Sequence, residues 1–364
     1  MWLAEPAGRD VMDALHRLCA APDVQQVAVM PDVHLASEVC IGVAMATSHL
    51  LYPQAVGGDI GCGMLAIATD IEASAITPRM GTRILQALQV AIPSRRHNRK
   101  STVGQPESLR SLVLSHPSLE ALRRAEGAIE FATLGSGNHF LELQRDEEQG
   151  RLWLMIHSGS RAMGPAIRDH HLRVAEDAKG LRWLDANSAS GEAYLQDAAY
   201  ARAYADASRR AMAAIVGEIL KRNVGGSLDE ASMIVTDHNH VERTAELWIH
   251  RKGAMAAYQG VAGVLPGSMG TLSYHVEGRG HAPALWSSAH GAGRRMSRTE
   301  ARRKVSQREL QKQMGDVCYD SRLTNALLEE APCAYKDIRS VLRAQSDLVK
   351  VTRVLRPVLT YKGT

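Results

Sequence analysis

The chain has no apolar run approaching the roughly 20 residues that a membrane-spanning helix requires. Its opening segment, MWLAEPAGRD, carries neither the basic region nor the apolar stretch of a secretory signal. Cysteine is scarce, with five residues at 19, 40, 62, 318 and 333, an odd number whose spacing matches no disulfide framework. These absences lead us to expect reduced thiols, a cytoplasmic location and no membrane partner. Internal repeats and low-complexity linkers are also missing. The net charge is only +4, so overall charge excludes no class of partner.

What remains is ordinary soluble composition: 364 residues, 45% hydrophobic and 23% charged, enough for a sizeable core. Length alone admits two domains, but without a linker we expect one compact α+β domain over residues 1–364. Runs at 25–32, 63–70, 151–158 and 231–238 read as strands, the last two ending at His or Asp-His. Residues 347–363 also read as β. Segment 192–222 has helix formers and apolar spacings of three and four, so we expect a long helix. The stretch 74–130 reads as largely helical, broken by a mobile basic loop, IPSRRHNRKSTVGQPES. Ser297 followed by Glu300 is a capping-box signature, placing a helix over SRTEARRKVSQRELQKQM. Arginine gathers at 94–100 and 293–304, which suits phosphate recognition and equally a solvated helix face.

The segment GGDIGCGM (57–64) is unusual. It holds an Asp and a Cys three residues apart on a backbone stripped to glycine. Glycine permits sharp turns and close approach to a ligand, so this pair could meet a metal. Other polar islands follow: MPDVH (30–34), GSGNHFLE (135–142), IHSGSR (156–161), DHNH (237–240), RKGA (251–254), PGSMGTLSY (266–274), SSAHGAGRRMSR (287–298) and AYKDI (334–338). Most are weak alone, since a lone loop histidine is more often a satisfied polar residue than a ligand.

In this order the islands resemble the RtcB RNA ligases, from about Met30 to Gly363. The resemblance implies an α+β RtcB-like fold with central mixed or antiparallel sheets surrounded by helices. It implies two Mn(II) ions bridged by Cys62, with Asp59 and His139 completing one ligand set and His157 and His238 the other. Ligand type alone would equally admit Zn(II) or Co(II). It makes His290 the nucleophile that takes GMP from GTP, with small neighbours leaving room for the nucleotide. Asn138 would lie near the GMP phosphate, and Glu142, Ser268, Ser273, Tyr335 and Lys362 would read guanine. Arg161, Arg294, Arg298 and Lys252 would hold RNA or nucleotide phosphates.

The implied reaction opens any 2′,3′-cyclic phosphate to a 3′-phosphate and moves GMP from His290 onto that end. A 5′-hydroxyl RNA end then displaces GMP, in RNA repair or tRNA splicing; a helper protein is compatible with this. The chain departs from the pattern at Ala36, Ser37 and Glu38, where small residues and a lysine are usual, at Ala162 and at Tyr258. These changes suggest a divergent paralogue with altered binding of RNA ends. Two alternatives follow: a 3′-phosphate guanylyltransferase that seals poorly, and a non-catalytic RNA-binding protein.

Overall fold

A computed structural model describes residues 1–178 and 180–363. Its centre is a seven-stranded antiparallel sheet, in the order Ala262–Leu265, Ser273–Gly278, Val349–Lys362, Phe140–Asp146, Arg151–Ser158, Gly63–Glu72, Leu228–Asp237. Its two edge strands contact one another, so the sheet nearly closes into a barrel. The strand Arg151–Ser158 shows why an almost continuous apolar run was needed. Leu152, Leu154 and Ile156 pack outward into the main core, while Trp153 and Met155 point into the barrel. Both faces are covered, so the alternation is between two buried environments rather than core and solvent.

The helices Pro78–Ala91 and Ala189–Val224 cover the outer face. The long helix is capped at Ser188, whose hydroxyl accepts from Gly191 N, and stops at the left-handed Gly225. A second, four-stranded antiparallel sheet has the order Val24–His34, Ile41–Thr47, Leu247–Lys252, Asn239–Thr244, with the helix Arg9–Cys19 packed on it. A short pair, Ala254–Ala256 with Ser287–Ala289, places residue 290 between the two sheets.

The expected strands and the long helix are present, and the molecule is α+β. One expectation needs correction. Residues 297–314 form two helices, Arg298–Lys304 and Gln307–Met314. Ser297 caps the first, and Ser306 caps the second by accepting from Glu309 N, so a second capping signature breaks the run. In 74–130 the helix Pro78–Ala91 and a continuous helical run over 117–130 flank the basic segment, as expected. The basic segment 92–106 has no regular structure but is tied down through His97 N to Ile129 O at 2.8 Å. Among the described residues no helix is long and apolar enough to cross a membrane.

Candidate active site

Strand register assembles the site. Gly63 pairs with both Ser158 and Asp237, Phe140 pairs with His157, and Lys362 pairs with Phe140. Cys62, His139 and His238 each flank one of these strands and His157 nearly ends another, so all four meet at one barrel rim. The turn leading to Cys62 is fixed by Gly61 N to Asn239 O at 2.7 Å and Cys62 N to Asp59 O at 3.0 Å. Gly61 has φ +75°, and a Cβ there would stand 2.7 Å from Arg202 Cα on the long helix. The glycine therefore lets the turn pass the helix; the space it clears faces protein rather than ligand. Fully buried Arg209 binds the Gly61 and Ser158 carbonyls at 2.9 and 2.7 Å, a brace that no sequence signal marked.

The donor atoms form a continuous file. Asp59 Oδ2 lies 2.9 Å from His139 Nε2, which is 3.5 Å from Cys62 Sγ. Cys62 Sγ is 3.3 Å from His157 Nε2, itself 3.3 Å from His238 Nε2. His157 Nδ1 donates to the Asn138 carbonyl at 3.0 Å, so its Nε2 carries a lone pair toward the sulfur and the next imidazole. Burial holds His157 and His238 well below the usual imidazole range, so both are neutral and able to ligate. Burial tends to raise the Asp59 carboxyl, but the hydrogen bond and charge of His139 together with Cys62 and His157 outweigh this and hold it at about 2. Burial and Asp59 push the Cys62 thiol well up, so it needs a cation nearby to ionise. Among the described residues, Cys62, His139 and His157 bring one donor atom each within 4.8 Å of one another, a spacing that fits a cation site.

Next along the file stands His290, its ring centroid 4.6 Å from that of His238. Its Nδ1 lies 2.6 Å from Oδ2 of fully buried Asp32. That bond takes the Nδ1 hydrogen and leaves a free lone pair on Nε2. Asp32 sits inside the MPDVH island, yet sequence reasoning gave it no role.

His290 opens into a cavity of ≈ 890 Å³. Asn138, Glu142, Ser268, Ser273, Arg294, Arg298, Tyr335 and Lys362 line it. Burial pushes the Glu142 carboxyl up to about 7. The cavity's cations converge on buried Glu330, also missed: Lys362 Nζ at 2.9 Å, Arg294 Nη1 at 3.1 Å and Arg298 Nε at 3.4 Å, with the Tyr335 hydroxyl donating as well. A clear signal was available, because three clustered cations imply a counter-charge and LLEEAP offers carboxylates in an apolar run.

Two expected phosphate contacts stand outside the cavity wall. Arg161 donates to Thr133 Oγ1 at 3.0 Å and to the Ser94 carbonyl at 3.3 Å. Lys252 is buried, donating to Val39 O at 2.9 Å and Ser37 Oγ at 3.2 Å, and burial lowers it to about 8. Tyr258 donates to Glu242 at 2.7 Å beside buried Arg251, so this departure joins a structural network.

The family model described as tRNA-splicing ligase RtcB matches residues 14–123 and 114–363. The RNA-splicing ligase RtcB of Escherichia coli (strain K12) is 32% identical over 403 residues, covering 100% of this chain and 97% of that protein. The tRNA-splicing ligase RtcB of Methanococcus maripaludis is 27% identical, covering 99% and 93%. The RNA-splicing ligase RtcB of Mycobacterium tuberculosis (strain ATCC 25618 / H37Rv) is 28% identical, covering 92% and 96%. With register, donor file and cavity coinciding with that match, the chain belongs to the RtcB family.

Proposed function

We propose that this protein is a GTP- and Mn(II)-dependent RNA ligase. It joins RNA 3′-phosphate or 2′,3′-cyclic phosphate ends to 5′-hydroxyl ends through a guanylylated histidine. The observation that carries this reading is the unbroken file from Asp59 through Cys62 to His290, which puts a nucleophilic imidazole next to a cation-ready donor set.

Asp59 and His139 would hold one ion, His157 and His238 the other, and Cys62 would bridge them. Bound there, divalent cations supply charge stabilisation to the transferring phosphoryl group and its leaving oxygen. Asp32 keeps the His290 hydrogen on Nδ1. His290 Nε2 attacks the α-phosphorus of GTP, forming an N–P bond as pyrophosphate departs. A 3′-phosphate oxygen of RNA attacks the same phosphorus and releases His290. The 5′-hydroxyl of the second RNA end then attacks the 3′-phosphorus, expelling GMP and losing its proton. Glu142 and Lys362 would read the base and the Tyr335 ring would wall it; Ser268 and Ser273 would add hydroxyl contacts, with Asn138 near the phosphate. Arg294 and Arg298 would reach phosphates from the rim of the cavity. Five free cysteines suit a reducing cytoplasm.

Intact mass after incubation with GTP and Mn(II) tests the chemistry. One added GMP is expected, acid-labile and lost in His290→Ala. No adduct with any divalent metal would refute the reading. A second reading, guanylyl transfer with poor sealing, draws support from Lys252. Its ammonium is occupied by Ser37 and Val39, leaving less cation for an RNA end. Capped 3′ ends accumulating without joined product would favour it.

A further inference from the structure

We infer that Gln144 is a positioning residue for base selection, holding Glu142 as a hydrogen-bond acceptor and Ser273 as a donor toward the nucleotide. This rests on the reading of Glu142 as the guanine contact. Gln144 is fully buried inside the barrel, two residues along the same strand face from Glu142. Its amide Nε2 donates to Glu142 Oε2 at 2.8 Å and to Ser273 Oγ at 3.2 Å. Its own oxygen is buried and has no hydrogen-bond partner among the described residues.

That asymmetry is informative. A glutamine kept for packing would satisfy both ends of its amide, because an unmade buried hydrogen bond costs about 1–3 kcal/mol. Here both amide hydrogens serve the cavity wall and the oxygen is left without a donor. An ionised carboxylate only accepts, so it dictates the amide orientation. Thr360 Oγ1 holds the other Glu142 oxygen at 3.0 Å, fixing the carboxylate plane. Ser273 Oγ accepts from Gly267 N at 3.2 Å as well as from Gln144. With both lone pairs used, its hydrogen is the group left to offer.

The wall thus presents an acceptor at Glu142 and a donor at Ser273. Guanine matches this with N1–H and N2–H donors and O6 and N7 acceptors. Adenine presents an N1 lone pair where guanine has N1–H, so it would face the carboxylate with like charge density. Burial, which raises Glu142 to about 7, makes the amide's support for the acceptor form more consequential.

The test is Gln144→Met and the near-isosteric Gln144→Glu, measured by Mn(II)-dependent adduct formation with GTP and with ATP. In Gln144→Met the preference for GTP over ATP should fall about tenfold or more, as expected for losing a hydrogen bond to a charged group. Half-saturating GTP should rise, while the rate at saturating GTP stays within about twofold. Gln144→Glu should shift in the same direction, because two adjoining carboxyls must share a proton. A purely structural role would lower the melting temperature and the rate together and leave the nucleotide ratio unmoved. If Gln144→Met does not fold, Gln144→Glu decides. A folded variant with the parental GTP-to-ATP ratio overturns the inference alone. A parent that prefers neither nucleotide overturns the guanine reading and this inference with it.

Discussion

The two walls of the cavity are built on opposite plans. On one side Cys62, His139, His157 and His238 stand at the strand ends of one sheet, buried, with His157 and His238 held neutral by burial. On the far side the groups come from turns, short helices and the chain's last strand, and their charges are already engaged by Glu330. The first set is a file of donor atoms with neighbours within 3.5 Å; the second is a group of cations gathered on one carboxylate. Asp32 and His290 sit at the junction.

The sharpest way to break this comparison is to separate metal from nucleotide. Cys62→Ala should reduce bound Mn(II), read by elemental analysis of the purified protein, to background and abolish the GMP adduct. His290→Ala should lose the adduct while retaining metal. If Cys62→Ala keeps both ions, the sulfur is not the shared ligand and the metal wall has been misread.

Asp32→Asn addresses the junction. An amide can present its NH₂ to Nδ1 and stabilise the wrong tautomer, as seen with comparable triads. The adduct rate should fall on the order of 10²–10⁴-fold with metal content unchanged. An unchanged rate would mean that Asp32 only packs.

On the far wall, Glu330→Gln leaves buried Lys362 and half-buried Arg294 without their counter-charge. Denaturant unfolding should show a loss of about 3 kcal/mol. Half-saturating GTP should change as well, because Tyr335 and Lys362 lose their common anchor. A variant of parental stability would show that the cations find other partners and that the two walls differ less than their contacts suggest.

The uneven legibility of the two walls has a physical cause. Asp59, Cys62, His139, His157 and His238 were singled out through the family resemblance carried by their islands, and the strand register then brought them together. Strands such as Arg151–Ser158 were legible because burial on both faces demands an apolar run. Arginine is less restricted: the same guanidinium serves phosphate, carboxylate or carbonyl, and only the fold shows that Arg161 binds Thr133 and Ser94. Asp32 acts through a partner 258 residues away and Arg209 through partners 148 and 51 residues away, and no local pattern encodes such pairings. The glycines of 57–64 were legible as a turn, but which atoms they had to avoid was a property of the packed helix.

A smaller effect concerns pH. Glu142 must be ionised to accept from guanine, and burial places its carboxyl at about 7. Lowering pH through that value protonates the acceptor, so half-saturating GTP should rise between pH 8 and pH 6. Glu142→Gln should flatten this dependence and weaken guanine preference. A pH-independent half-saturation in the parent would place the base contact elsewhere.

The smallest effect lies at the departure from the family pattern. Glu38 is exposed, and a hydrogen bond from its own backbone N–H, aided by Ser37 and the charges of Lys252 and Arg168, holds its carboxyl low. If this carboxylate repels an incoming RNA phosphate, Glu38→Gln should tighten binding of 3′-phosphorylated RNA. Exposed charges contribute only about 0.2–1 kcal/mol, so the gain should be at most about fivefold. It should shrink at high salt, since screening acts on exposed charges. The GMP adduct rate without RNA should not move, because Glu38 does not line the nucleotide cavity. Equal RNA affinity in both proteins at low salt would show that the altered stretch leaves the RNA end alone, and that capping of Lys252 by Ser37 and Val39 is a packing feature of this chain.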